Sequence, residues 1–405
     1  MSLGILAPDT IISQRRQQNL GLASAVRHFN DRSVPGLGGM WFPMPILWSV
    51  LAVSIAEELR VPALPVGNAI EALMMRKAMK GPADRRVRGA RKMQGLEDWK
   101  FKNLKRRGTY VVQPIRMAMV QPLVALGFVR GSRYGSFTID TAGAQMLNLP
   151  VMANYRRVLG AWAHERTSHG LSKVIEELSP TAPVPHDVGK LILARLIGGD
   201  DQSASRRRAL VELGTGPSAS QLDAAEPLSG IAPDHWTDLR AGAAFMDLRN
   251  AALAVLYRLE HCLLELRDAT KPAVLSVDEA SKVVGETLAA LRQCGRQQGD
   301  RIDAQPEEKR EKTSQNFLSE VKDLPVPQLL QRLAEREGTV VRWRNGRIGL
   351  GPAAGEVSPS DESESFQDEK FAPQLFRLYN LHCLATELNG GMNPGCRDAA
   401  DKEPT

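Results

Sequence analysis

Lysine and arginine side chains crowd the stretch between residues 76 and 133, and the chemistry open to them is the electrostatic binding of anions. Sixteen basic residues there face only Asp84, Glu97 and Asp98, so the stretch carries a net charge of +13. The whole chain of 405 residues carries only +6, and the remainder is therefore net acidic. A local positive field of this kind attracts polyanions, above all the phosphates of nucleic acid.

Residue types that perform catalysis are present but lack the spacing that a reaction requires. His164 and His169 stand five positions apart, and therefore off a common helix face, unlike the histidine pair of zinc proteases. Segments 98–100 and 368–370 resemble the carboxylate and lysine of a nuclease site, yet neither follows a second carboxylate at the end of a strand. We predict no catalytic residue, metal or cofactor, and the interpretation leans against an enzyme. An enzyme with dispersed residues is the weakest alternative.

The cysteines and the apolar segments indicate the cellular compartment of the protein. Cys262, Cys294, Cys383 and Cys396 form no CxxC pair, which favours separate thiols in a reducing compartment over a metal site. The most apolar window, 44–56, is about 13 residues long and too short to cross a bilayer. The first residues lack the basic region and apolar run of a signal peptide. We expect a cytoplasmic, bacterial protein without membrane contact.

Two helices and a loop are expected at the start of the basic stretch. An apolar helix is predicted over 46–59, and a second helix over 69–80 begins with Asn68 as its cap and Glu71 as the reciprocal partner of a capping box. The segment 82–95 has no hydrophobic period, so we expect a flexible loop there.

The second half of the basic stretch predicts helices separated by a hairpin. The expected elements are a helix over 96–107, a helix over 114–127 that begins with Pro114, short strands over 128–130 and 136–139, and a last helix capped by Asp140 or Thr141. Proline suits the first position of a helix, and a Gly-rich turn suits the hairpin.

The order of these parts resembles the end of a winged helix-turn-helix domain. The phrase Leu-x-x-Leu-Gly-Phe-Val occurs at 123–129, a basic turn follows at 130–135, and Thr138 or Thr141 precedes Gly143. In that superfamily such phrases mark the end of a recognition helix, the wing and the start of the next helix. The resemblance covers about residues 67–150.

The resemblance implies that the helix over 114–127 enters the major groove of DNA and that the wing lies against phosphate or the minor groove. The implied contacts are Gln113, Arg116, Met117 and Gln121 from the helix, Arg130, Arg133 and Tyr134 from the wing, Arg85, Arg86, Arg88, Arg91 and Lys92 from a trailing arm, and Lys102, Lys105, Arg106 and Arg107 from the flanking helix. Pro122 departs from the pattern, because a proline inside a helix costs about 3 kcal/mol. Either it starts a new short helix or 114–121 is irregular.

Helices dominate the rest of the sequence, and we predict a mainly α, multidomain helical protein with a winged-helix segment and a small carboxy-terminal β-hairpin. Asn345 and Gly346 favour a type I′ turn in that hairpin. The predicted domains are 1–150, a helical region that contains the winged-helix segment; 151–299, a helical domain; 300–351, a linker, a helix and the hairpin; and 352–405, an acidic disordered tract, a short helix and a tail.

Two functions from different classes fit this sequence. The leading hypothesis is a non-catalytic accessory or regulatory protein that binds double-stranded DNA through the basic winged-helix segment. The alternative is a scaffold subunit of a bacterial multiprotein complex, for example in phage defence or nucleic-acid processing, whose winged helix contacts protein. Apolar stripes on the helices over 233–268 and 371–388 would then bind a protein partner or a second copy of the chain.

Overall fold

The computed structural model of the protein describes residues 20–214, 217–267, 273–303, 312–355 and 375–399. Within these ranges the chain is mainly helical, which confirms the predicted fold class at that level. The described part contains seventeen α-helices and five strands of two to four residues.

The element bounds are as follows. The helices are α1 Ala23–Ser33, α2 Met44–Leu59, α3 Ala63–Ala78, α4 Phe101–Leu104, α5 Val120–Ala125, α6 Thr141–Leu147, α7 Pro150–Ala163, α8 Leu171–Glu177, α9 His186–Ile197, α10 Gln202–Leu213, α11 Ala219–Ala224, α12 Pro233–Glu265, α13 Val277–Val283, α14 Gly285–Asp303, α15 Thr313–Asp323, α16 Val326–Glu337 and α17 Phe376–Leu388. The strands are β1 Val129–Arg130, β2 Thr138–Ile139, β3 Val274–Leu275, β4 Val341–Arg344 and β5 Arg347–Leu350, and 3₁₀ helices cover Ile115–Met119, Tyr134–Ser136 and Pro394–Ala399.

The pattern of internal contacts divides the chain into two compact units. Among the described residues, the large unit comprises 28–243 and 375–399, and the small unit comprises 20–27 and 244–355. The boundaries expected at residues 150 and 299 fall inside the large and the small unit respectively. The division therefore follows contacts between distant segments rather than changes in local composition.

The small unit contains a three-stranded antiparallel sheet in the order β3, β5, β4. Strands β4 and β5 form the predicted hairpin, with Trp343 paired to Ile348. Its turn residues Asn345 and Gly346 have φ values of 51° and 75°. Positive φ at both central positions is what a type I′ turn needs, so the hairpin prediction is confirmed.

Two helical stretches of the small unit are each divided into two helices. Ser276 and Glu279 form a capping box at the start of α13, which ends at Val283, and α14 begins at Gly285. Residues 313–337 likewise form two helices, α15 and α16. Since Pro325 has no amide hydrogen to donate, it starts the second helix instead of continuing the first.

The apolar stripes of the helices predicted over 233–268 and 371–388 are largely covered by the chain itself. Helix α12 ends at Glu265, and the described stripe residues Leu239, Leu248 and Leu256 are each at most 1% exposed. Helix α17 buries Leu378, Leu381 and Leu384 in the same way. Residues 371–374 and most of the acidic tract, 356–370, lie outside the described ranges, as do residues 400–405 of the tail.

Helix α2 forms the core of the large unit. Residues 44–56 are all buried, and the helix packs against α3 and α7. The most apolar window of the sequence is thus a core helix. None of the helices in the described ranges has the length and hydropathy to cross a membrane.

Helix α3 begins six residues earlier than predicted, and the expected capping box is wrong. Pro62 precedes the first helical residue, Ala63, and Pro65 lies within the first turn, where a missing amide hydrogen is tolerated. Asn68 and Glu71 therefore lie inside the helix and are buried. Both side chains are used for contacts with distant parts of the chain.

The helices predicted around residue 110 are shorter than expected. Of the helix over 96–107, only α4 forms. The helix over 114–127 becomes a 3₁₀ helix followed by α5, and Pro122 is the third residue of α5, within the first turn. The proline thus interrupts the long helix and suits the start of the short one.

Candidate nucleic-acid interface

A buried carboxylate on α3 fixes the start of the segment that was expected to read DNA. Glu71 is 1% exposed, and its Oε1 accepts the Ile115 amide hydrogen at 2.7 Å. Its Oε2 accepts the Arg116 amide hydrogen at 3.1 Å. Unpaired amides at a helix start favour an acceptor with negative charge. Glu71 therefore caps the amino end of the 3₁₀ helix, although it lies in a distant segment of the chain.

The side chain of Arg116 turns toward the same carboxylate and is not an outward position. Its Nη1 lies 3.7 Å from Oε2 of Glu71, and its side chain is only 13% exposed. Burial raises the pKa of Glu71, while the charge of Arg116 opposes that rise. Tyr110, beside this pair, has its pKa raised well above the usual range, first by burial and then by Glu71. Arg116 is thus a structural ion-pair partner.

Tyr134 was expected on the wing surface, and that expectation is wrong. The residue is 6% exposed, and burial raises its pKa to about 12. Its ring packs so closely on α3 that a Cβ added at Gly67 would lie 2.6 Å from ring carbon Cε1. Tyr134 therefore anchors the hairpin to α3 instead of facing a ligand.

The hairpin itself is present, and its two arginines are exposed. Val129 pairs with Ile139 in the antiparallel ladder of β1 and β2. Arg130 lies 3.6 Å from Asp140 in an exposed ion pair, a contact worth little in water. Arg133 is exposed at the turn. Asp140 also caps α6 by accepting the Thr141 amide hydrogen. Of the two caps predicted for this helix, Asp140 and Thr141, the structure has Asp140.

The segment 82–95 contains neither helix nor strand, yet it is not a free arm. Met93 is 4% exposed, and Arg86 forms an ion pair with Asp84 at 2.7 Å. Burial raises the pKa of Asp84, but the hydrogen bonds and charge of Arg86 outweigh it and lower the pKa. Arg85 and Arg88 are half-buried. The exposed basic residues of this segment are Arg91 and Lys92.

The basic residues expected around α4 lie at the surface. Lys102, Lys105, Arg106 and Arg107 are all exposed. Lys105 lies over the Phe101 ring, with its Nζ 5.2 Å from the ring centroid. The ring is 5% exposed, so the ammonium group rests at the surface above an apolar base.

Helix α3 brings this group next to the hairpin. Gly67 receives the Tyr134 ring, and its neighbour Asn68 donates a hydrogen bond of 2.9 Å to the Leu104 carbonyl. Lys105 directly follows Leu104, and Arg133 directly precedes Tyr134. Two groups of cations that are about 30 residues apart in sequence therefore flank consecutive residues of one helix. We call Lys102, Lys105, Arg106, Arg107, Arg130 and Arg133 the basic surface.

The segment expected to read bases presents amides and apolar groups. Gln113 and Gln121 are exposed, and Met117 and Val124 are 61% and 42% exposed. Val112, which precedes them, is 94% exposed. With Arg116 turned inward, the described part of 112–124 offers no exposed charge.

Three further cations were not among the expected contacts. Arg76, Lys77 and Lys80 line a cleft of about 410 Å³ at the end of α3. The Arg76 guanidinium lies 5.2 Å from the Trp99 ring centroid. Their place in the +13 stretch marks these cations as candidates for anion binding. Basic residues also favour the carboxy terminus of a helix because of the helix dipole, so the sequence alone does not distinguish the two roles.

No group of three or more His, Cys, Asp or Glu side chains in the described ranges is arranged to hold a metal ion. The four cysteines are free thiols. Burial raises the pKa of both Cys294 and Cys383 to about 11, which keeps them protonated and unreactive at neutral pH. No protein-family model, curated protein or solved structure matches the chain.

Proposed function

We propose that this protein binds double-stranded DNA through the basic surface, as a non-catalytic accessory or regulatory protein of the bacterial cytoplasm. The observation that carries the proposal is the placement of the α4 cations and the hairpin arginines beside consecutive residues of α3. The hairpin would serve as the wing of a winged-helix segment, and Lys105 to Arg107 would follow the adjacent phosphates.

The same geometry supports contact with phosphate more than reading of bases. Arg116 is engaged by Glu71, and Tyr134 is buried, so two of the expected contacts are removed from the surface. Gln113 and Gln121 stay available, but amides without neighbouring cations add little affinity. We therefore propose binding that depends weakly on the DNA sequence and strongly on salt.

Titration of a labelled DNA duplex at rising salt tests the proposal directly. If all six cations of the basic surface contact phosphate, a plot of the logarithm of the binding constant against the logarithm of the salt concentration should have a slope of about −5. Affinity should change little when the duplex sequence is changed. A flat salt response, or no binding at low salt, contradicts the proposal.

Exposed apolar side chains support the second candidate, a scaffold subunit that contacts protein through the same segment. Val112, Met117 and Val124 present apolar surface without charge. Replacement of all three by serine should then abolish partner capture from host extract while leaving duplex binding intact. A variant that still captures the same partner contradicts this reading. The described stripes of α12 and α17 are covered and no longer favour it.

A further inference from the structure

A cleft at the start of α12 has the composition of a ligand site and is separate in its residues from the basic surface. It measures about 510 Å³, within the usual range of small-molecule sites. The lining comes from the end of α1 and the turn after it, from α10, and from the first two turns of α12 with the residue before them. It includes Arg32, Gln202, Arg206, Asp234 and His235.

His235 is the unusual member of this lining. It is 5% exposed, and its Nε2 is buried without a hydrogen-bond partner among the described residues. Burial, followed by the charge of Arg206, lowers its pKa to about 4, against the opposing charge of Asp238 and a backbone hydrogen bond at Ser33. The imidazole is therefore neutral at pH 7. Because the Ser33 hydrogen bond favours the charged ring, the ring donates it, and Nε2 is left as an acceptor.

The carboxylates of the cleft are largely neutralised within the fold. Asp238 pairs with Arg32 at 2.7 Å, and Asp31 pairs with Arg377. Asp234 is exposed on the first turn of α12, where the helix dipole favours a negative group. The described structure records no ion pair or hydrogen bond for Arg206, which is half-buried in the cleft wall.

The beginning of α12 adds a second source of positive potential. Trp236 donates to the Ala232 carbonyl, so the helix ladder begins there. Pro233 has no amide hydrogen, which leaves the amides of Asp234 and His235 in the first turn pointing out of the helix. A helix of 33 residues ends here with its positive pole.

We propose that this cleft binds a small organic phosphate that carries a hydroxyl group beside the phosphate. Arg206 and the amino end of α12 hold the anionic oxygens, and the hydroxyl donates to Nε2 of His235. The three features are complementary to the two ends of such a ligand: a cation, helix amides and a buried acceptor. A ligand with the anion but without the hydroxyl leaves the acceptor unmatched.

Calorimetric titration with glycerol 3-phosphate and with inorganic phosphate tests the proposal. The wild-type protein should bind glycerol 3-phosphate about tenfold more tightly, because only that probe satisfies both ends. Arg206→Gln should weaken both probes about tenfold or more. Lys190→Gln removes an exposed cation on α9 of the same unit and should leave both affinities unchanged.

His235→Phe should abolish the preference for glycerol 3-phosphate while retaining phosphate binding. Should this variant fail to fold, His235→Gln keeps an acceptor and should retain part of the preference, and Arg206→Gln decides independently. Absence of binding to either probe by the wild-type protein, or Arg206→Gln binding like the wild type, overturns the proposal. Duplex binding by Arg206→Gln should be normal, which separates this site from the basic surface.

Discussion

Glu71 accepts the amide hydrogens of both Ile115 and Arg116 and lies 3.7 Å from the Arg116 guanidinium. One carboxylate in the middle of α3 thus determines where the next 3₁₀ helix begins, 44 residues later. It also withdraws an arginine from the surface. Arg116, which the winged-helix resemblance implied as a contact with DNA, is instead part of the support of the site.

Glu71→Gln should destabilise the large unit by about 2–4 kcal/mol, because the amide places a donor opposite an amide hydrogen and leaves Arg116 without its counter-charge. Urea unfolding followed by circular dichroism measures the loss. Glu176→Gln is the matched control, since Glu176 is an exposed partner of Lys77, and its midpoint should equal that of the wild type. Equal midpoints for both variants would contradict the structural role of Glu71.

Gly67→Ala should destabilise the protein even though alanine is the better helix former by about 1 kcal/mol. The new Cβ meets the Tyr134 ring at 2.6 Å, and overpacking of a buried contact costs about 1–3 kcal/mol. The near-ultraviolet circular dichroism of the tyrosine should change as the ring is displaced.

Gly285→Ala is the control for that substitution. Gly285 is the first residue of α14, and an added Cβ would meet no atom within 4 Å. This variant should be as stable as the wild type or slightly more stable. Two variants with the same midpoint would show that the hairpin is not anchored through Tyr134.

His235 should make stability depend on pH between about 6.5 and 4. Its pKa falls from an ordinary 6.5 to about 4 on folding, so the unfolded chain binds more protons in that window. The titration of His235 therefore leaves the free energy of unfolding at its full value above pH 6.5. As the pH falls through this window, the free energy of unfolding decreases by at most about 3 kcal/mol. The charged groups around the ring are Arg206, Asp238 and Arg32.

His235→Gln should flatten this part of the stability profile, since glutamine does not titrate. Urea midpoints at a series of pH values, for the wild type and the variant, give the difference in slope. Carboxylates such as Glu387, whose pKa burial raises, titrate alike in both proteins and cancel in that difference. Parallel profiles would mean that folding does not lower the pKa of His235.

Local rules were sufficient where a structure is local. The Asn345 and Gly346 turn needs only positive φ at two positions, and the Ser276 capping box needs only residues within one turn of a helix. The apolar run at 44–56 predicted a buried helix because no polar face is present to be solvated. These elements could be read from the sequence without their neighbours.

The candidate interface could not be read in the same way, because distant contacts decide it. Glu71 had the spacing of a capping box with Asn68, but α3 starts earlier and both side chains reach other segments. Tyr134 has the position of a wing residue in the sequence, but its ring packs against α3, where Gly67 leaves room for it. Spacing along the chain carries no information about such pairs. The local charge density, by contrast, was visible from the residues alone.

A comparison of two charge-removing variants separates duplex binding by the basic surface from a general effect of net charge. Arg106→Ser with Arg107→Ser removes two exposed cations beside α4. Arg344→Ser with Arg347→Ser removes two exposed cations from the hairpin of the small unit, with the same change in net charge.

Fluorescence anisotropy of a labelled duplex at fixed low salt gives both affinities, and repetition at higher salt gives the slopes. We predict that the Arg106→Ser, Arg107→Ser variant binds about tenfold more weakly than the wild type, with a salt slope smaller in magnitude by about 2. The Arg344→Ser, Arg347→Ser variant should bind like the wild type. Equal losses in the two variants, or no loss in either, would contradict DNA binding by the basic surface.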